Sequence, residues 1–251
     1  MSGDVTRAAL ALLVAAAQLG AACGGSSKPA AAPAAPSTRA YAETVPDDGM
    51  EIESSRGRME PAVIEAGIGP HKEALGECYT SRVGQRRWLG GRVSIHWEIQ
   101  GDGTVTAVKL AESDLGAWPI ERCLLETARA ATFGKPKGGD TDFSIPLEFS
   151  ARGKHLEWDQ EMGSRAVGSQ LDKLDACAKA KGVTGPAPED VAITIYVGAQ
   201  GKPQSVGFAS AASVIEDAWA DCAEKAILGW RLPDPRNEIA KLAVRYRPAT
   251  T

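Results

Sequence analysis

The chain has 251 residues, a formal net charge of −4 at pH 7 and 43% hydrophobic residues. That length suits one or two domains, and apart from abundant Gly and Ala the composition is ordinary for a soluble globular protein. A mildly acidic balance with no basic stripe argues against a nucleic-acid partner.

Residues 1–23 read as an export signal. Arg7 precedes an apolar run from Ala8 to Ala17, too short to span a bilayer comfortably. The ending Leu19-Gly20-Ala21-Ala22-Cys23 resembles a bacterial lipobox, with the leucine one place further upstream than usual. On that reading Cys23 is the lipidation site and first residue of the mature protein; the alternative is an ordinary cleaved signal. Residues 24–58, rich in Pro, Ala, Ser and Gly and later in acids, read as a disordered tether, because they carry too little apolar surface to offset ordering entropy.

A first domain is expected over 59–150. A helix starting at Pro70 carries Leu75, Cys78 and Tyr79 on one face. Val93, Ile95, Trp97 and Ile99 alternate with Ser94, His96 and Glu98, the period of a half-buried strand. Asp102-Gly103 supplies a hairpin turn, and Val105, Ala107 (or Val108) and Leu110 suggest the return strand. Ile120, Cys123, Leu124, Thr127, Ala128 and Ala131 then form one stripe of an amphipathic helix, with Pro119 suited to its first turn. Phe143, Ile145, Leu147 and Phe149 close the unit as a third strand.

A connector over 151–160 leads to a second domain over 161–251 that repeats the pattern. Val167, Leu171, Leu174 and Cys177 (or Ala178) match the first helix. Val191, Ile193, Ile195 and Val197 match the first strand, with an offset of 98 from Val93 to Val191. Gln200-Gly201 replaces the turn, and Val206 and Phe208 the return strand. Ser213-Val214-Ile215-Glu216 has the form of a capping box ahead of the stripe Trp219, Cys222, Ala223, Ala226, Ile227, Trp230. Leu242, Val244 and Tyr246 close the unit. The fold class expected is therefore α+β: two tandem α-β-β-α-β units, each a three-stranded antiparallel sheet with helices on one face. Direction counting gives the sheet order two-one-three. Pro146 agrees with an edge position for strand three, since an edge tolerates a residue that lacks the N–H donor.

Four cysteines follow Cys23. In an exported protein an even number reads as disulfides, with three possible connectivities. The separations 123 − 78 and 222 − 177 are both 45, so the repeat selects Cys78–Cys123 and Cys177–Cys222. A four-thiolate metal site is the alternative; it is disfavoured because no Cys-x-x-Cys pair and no neighbouring His exist. No cofactor is expected. His71, His96 and His155 read as surface residues, and no nucleophile elbow, phosphate loop or His-Glu-x-x-His motif occurs. Trp97 and Trp219 belong to inward faces. Trp88 sits in a basic, Gly-rich loop with Arg82, Arg86, Arg87 and Arg92. Lys241, Arg245 and Arg247 fall on the outward face of the last strand.

The run Cys78-Tyr79, Gly91-Arg92-Val93-x-Ile95, Ile99-x-x-Asp102-Gly103-x-Val105, Ser113, Cys123, Phe133 and Pro136 resembles the AgmX/PglI C-terminal domain family, which is similar to the C-terminal domains of TonB and TolA. The resemblance covers residues 60–150 and is looser in the second copy, where Ala178 replaces the tyrosine and Lys202-Pro203 follows the turn. It implies a non-enzymatic cell-envelope protein with no catalytic residue to carry over. Such domains engage protein partners by strand addition at a sheet edge, here the strand of Leu242, Val244, Arg245 and Tyr246. The expected location is that of an exported, membrane-anchored lipoprotein facing the periplasm, at the outer membrane, with envelope proteins as partners, the lipid as membrane contact and no metal. The family's name reflects a gliding-motility association, and the role implied is one in motility or the envelope. Two other functions remain open: a carrier of a small envelope ligand, and a hydrolase with a composite site between the units.

Overall fold

The computed structural model describes residues 57–248, which fall within one compact unit. The signal, Cys23 and most of the tether lie outside the described residues. The chain is mixed α/β. Helices α1 (Pro61–Ile68) and α2 (Lys72–Val83) precede strands β1 (Gly91–Ile99) and β2 (Val105–Ser113), helix α3 (Trp118–Arg129) and strand β3 (Thr141–Phe149). Then come β4 (Leu156–Trp158), α4 (Gln160–Val167), a 3₁₀ segment (Gly168–Lys179), β5 (Val191–Gly198), β6 (Lys202–Ala209), α5 (Asp217–Leu228) and β7 (Ala240–Tyr246).

The first sheet is antiparallel, in the order β2-β1-β3. Its inward residues Val93, Ile95, Trp97 and Ile99 are buried, whereas Arg92, Ser94, His96 and Glu98 line a partly open outer face. Trp97 donates its indole N–H to the Ala128 carbonyl of α3 at 3.1 Å and stacks on Phe143. Pro146 sits opposite Ser94 on β3, which no described strand pairs on its other side.

The second sheet corrects the expectation of three strands. Its order is β4-β7-β5-β6, and β4 joins parallel to β7, with Leu156, Glu157 and Trp158 opposite Ala240, Lys241 and Leu242. The segment read as a connector therefore contributes a strand. Three residues carry no detectable alternation, so no period marks it. The expected capping box is corrected too. Helix α5 starts at Asp217; the Ser213 hydroxyl accepts from Glu189 N–H, and the Glu216 carboxylate is taken by the N–H groups of Thr184 and Gly185. Those N–H groups hold the Glu216 carboxyl below its usual range. The stretch expected to match α2 is a 3₁₀ segment instead, which sets Leu171, Leu174 and Cys177, three residues apart, on one side at three residues per turn.

Two turn glycines lie in matching places. Gly103 (φ +96°) rests against the Phe133 carbonyl and Gly201 (φ +66°) against that of Leu232, each just after a helix. A Cβ at Gly201 would overlap the Leu232 carbonyl, whose residue also donates its N–H to Gly201 O at 2.9 Å. Left-handed backbone and backbone overlap act together here. Gly201→Ala is expected to lower stability by about 2–3 kcal/mol, read as a shift in the urea midpoint; a shift below about 0.5 kcal/mol would contradict this account.

The halves share one contiguous apolar cluster. Strand β5 shows how. Its inward residues are buried, but so are Thr194, Tyr196 and Gly198 on the other face. The loop after β2 fills that face: Gly116 has no Cβ to meet Thr194 and Tyr196, Leu115 and Ala117 are fully buried, and Ser205 donates to Gly116 O at 2.7 Å. The second sheet is thus covered on both faces, the first on one.

Candidate functional site

The predicted site residues fall in three places. Cys23 lies outside the described residues. The four other cysteines form two disulfides, Cys78–Cys123 and Cys177–Cys222. The first joins α2 to α3, the second the 3₁₀ segment to α5.

The expected binding edge on β7 is partly occupied. Leu242 is opposite Trp158 of β4, so the unpaired stretch begins after it. Val244 lies beside Gly163 of α4, where an added Cβ would sit 3.5 Å from it, Tyr246 donates its hydroxyl to Asp175 at 2.7 Å, and Arg245 binds Asp190 at 2.8 Å. Arg247 and Arg245 hold the Asp190 carboxyl below its usual range. Lys241 is a further correction. It does not lie on an open face but is 8% exposed, its ammonium 3.1 Å from Asp114 and over the Tyr196 ring. The first half covers that face, so the lysine closes an interface and guards no edge.

Among the described residues, β3 is an edge strand, paired only with β1. Its inward side chains Phe143, Ile145, Leu147 and Phe149 are half-buried, and Ser144, Pro146 and Glu148 face outward. Pro146 cannot donate to an added strand, which restricts pairing to the stretch before it.

A cleft of about 810 Å³ opens between the halves. Gly90, Gly91, Ala111, Ala192, Ala209 and Ala211 form much of its wall. Most of its polar side chains already have protein partners. Asp114 takes the Arg92 N–H and the Lys241 ammonium, and Arg92 is 3.9 Å from Glu148. His155 bonds the Trp88 carbonyl and Glu157, and Ser210 donates to Glu189 O. Groups engaged in this way serve the architecture first, and the cleft's chemistry is that of a shaped, small-residue surface.

Beside the cleft is a residue that no sequence motif marks. Glu121, in the first turn of α3, is completely buried. Its carboxylate accepts from the Ser113 hydroxyl at 2.6 Å and from the Phe208 N–H of β6 at 2.8 Å. Gly207 makes the approach possible, because any Cβ there would strike the carboxylate. Burial pushes its pKa up to about 7, against the opposing pull of Ser113 and the Phe208 N–H. Nearby, Trp118 donates to Asp221 at 2.7 Å, and Arg122 lies 3.1 Å from the same carboxylate, so α3 and α5 are also tied together.

No family model, curated protein or solved structure matches this chain.

Proposed function

We propose that this is a lipid-anchored cell-envelope protein, facing the periplasm from the outer membrane, that acts without catalysis through protein–protein contact. Its halves are read as tandem copies of one TonB-like domain of the AgmX/PglI type, and Cys23 as the anchor. The compartment is supported by two disulfides, since such bonds persist in oxidising surroundings. The mode of action is supported by one observation above others: β3 offers a long edge with half-buried apolar side chains and, on the side away from β1, no described strand. A partner strand adding before Pro146 gains main-chain hydrogen bonds and covers Ile145.

The test is photo-crosslinking in the native envelope. A photoreactive residue at Ser144 is expected to give one discrete protein adduct; the same residue at Glu73, on exposed α2, is expected to give none. Equal labelling at both sites, or none at either, overturns the reading. The open cleft favours a second reading, carriage of a small envelope ligand, which native mass spectrometry of the purified chain checks through a retained mass.

A further inference from the structure

The basic loop singled out in the sequence acquires a neighbour in the folded chain. The Arg152 and Gly153 N–H groups donate to the Arg87 carbonyl at 2.8 and 2.6 Å, clamping the segment after β3 onto the loop after α2. Arg86 reaches back to the Arg82 carbonyl. This gathers Arg82, Arg86, Arg87, Arg152 and Lys154 on one surface, with all but half-buried Arg86 exposed.

Two of the nearby acids already have partners: Glu148 faces Arg92 and Glu157 binds His155. Arg82, Arg87, Arg152 and Lys154 have no ion pair among the described residues. Four uncompensated cations on a chain of net charge −4 form a local reversal of sign. A protein partner would want an apolar anchor at the centre of such a patch. The loop's one aromatic, Trp88, has its ring against Tyr196 at 4.6 Å and leaves no such anchor. A spread of exposed point charges with no apolar centre suits an extended array of phosphates better than a folded partner.

We infer that this surface rests on a membrane rich in anionic phospholipid headgroups. The inference does not require the lipid at Cys23, and it orients the molecule with the α2–β1 loop and the start of the 151–155 segment toward the bilayer.

The experiment uses the full chain with Cys23→Ser, so that no acyl chain contributes. It is sedimented with vesicles of phosphatidylcholine alone, or with about 30% phosphatidylglycerol, enough to give an anionic surface potential. Binding is expected only to the anionic vesicles and is expected to fall steeply as salt rises, by screening. The triple variant R87E/R152E/K154E is expected to bind about 100-fold more weakly, at about 1 kcal/mol per cation near the surface. The control K173E/K179E/K181E makes the same change in net charge at exposed lysines elsewhere and is expected to bind within about threefold of the parent. An unchanged urea midpoint shows that the triple variant folds. Absence of binding to anionic vesicles, or equal losses in the two triple variants, overturns the inference. So does capture of a soluble acidic polypeptide, polyglutamate, in preference to vesicles. A mass spectrum of Cys23 from native cells decides the anchor separately, so each idea can fail without the other.

Discussion

Replacing Glu121 by Gln is expected to remove a pH dependence of stability between about pH 4.5 and 7 and to make the protein more stable than the parent above that window. Glu121 has a folded pKa of about 7 against an ordinary 4.5, raised by complete burial. In that interval the folded state holds a proton that the unfolded state has released. Stability from the neutral acid is therefore full below about pH 4.5 and is lost as pH rises through about 7. The difference amounts to about 3 kcal/mol, at 1.36 kcal/mol per pKa unit. Gln keeps an acceptor for the Phe208 N–H and a donor for Ser113 Oγ with no charge to desolvate. Urea unfolding at several pH values, parent against E121Q, measures this. A difference between the two that stays constant from pH 4.5 to 7.5 would show that the carboxylate is not the titrating group. Because Glu121 bridges α3 to β6, the first contacts to loosen in alkali should be those between the halves, visible as faster hydrogen exchange at Phe208 N–H.

Removing the disulfides should have the largest effect of all. Each closes a loop with a sequence separation of 45. In the chain-entropy model such a loop stabilises by about 4 kcal/mol. Losing both is worth about 8 kcal/mol, comparable with the whole stability of an ordinary domain at 5–15 kcal/mol. Reduction of the native chain, or the four-Ser variant, should leave little cooperative unfolding at 37 °C, followed by circular dichroism. Retention of a sharp transition with a midpoint shift worth under about 1 kcal/mol would deny them this role.

Much of this was legible in the residues. The alternation from Val93 to Ile99 marked β1 and its inward face, and the equal cysteine spacings marked both bridges. The packing of the halves left a fainter trace. Where β1 alternates with Arg92, Ser94, His96 and Glu98, β5 carries Ala192, Thr194, Tyr196 and Gly198. A strand with no charge on either face is one buried on both. Read that way, Lys241 opposite Tyr196 would have been placed at an interface rather than in water. Glu121 was hidden for a different reason. It neighbours Ile120 in the first turn of an amphipathic helix, where an acid is favoured by the helix dipole alone. Nothing local distinguishes that from a carboxylate committed to a backbone N–H 87 residues away. Strand β4 was invisible because its three residues take their order from β7 and not from any pattern of their own.

The two sulfur bridges join cysteines that are consecutive in the chain, Cys78 to Cys123 and then Cys177 to Cys222, and never interleave. If the chain is exported as proposed, threading out amino end first, it presents each partner as the next cysteine after its mate. An oxidase that couples thiols in order of emergence would reach the native set directly. With Cys23 acylated as proposed, a scrambled intermediate would arise only if Cys78 or Cys123 were still reduced when Cys177 appeared, so maturation of an exported chain should depend on an oxidising catalyst far more than on a disulfide-shuffling one.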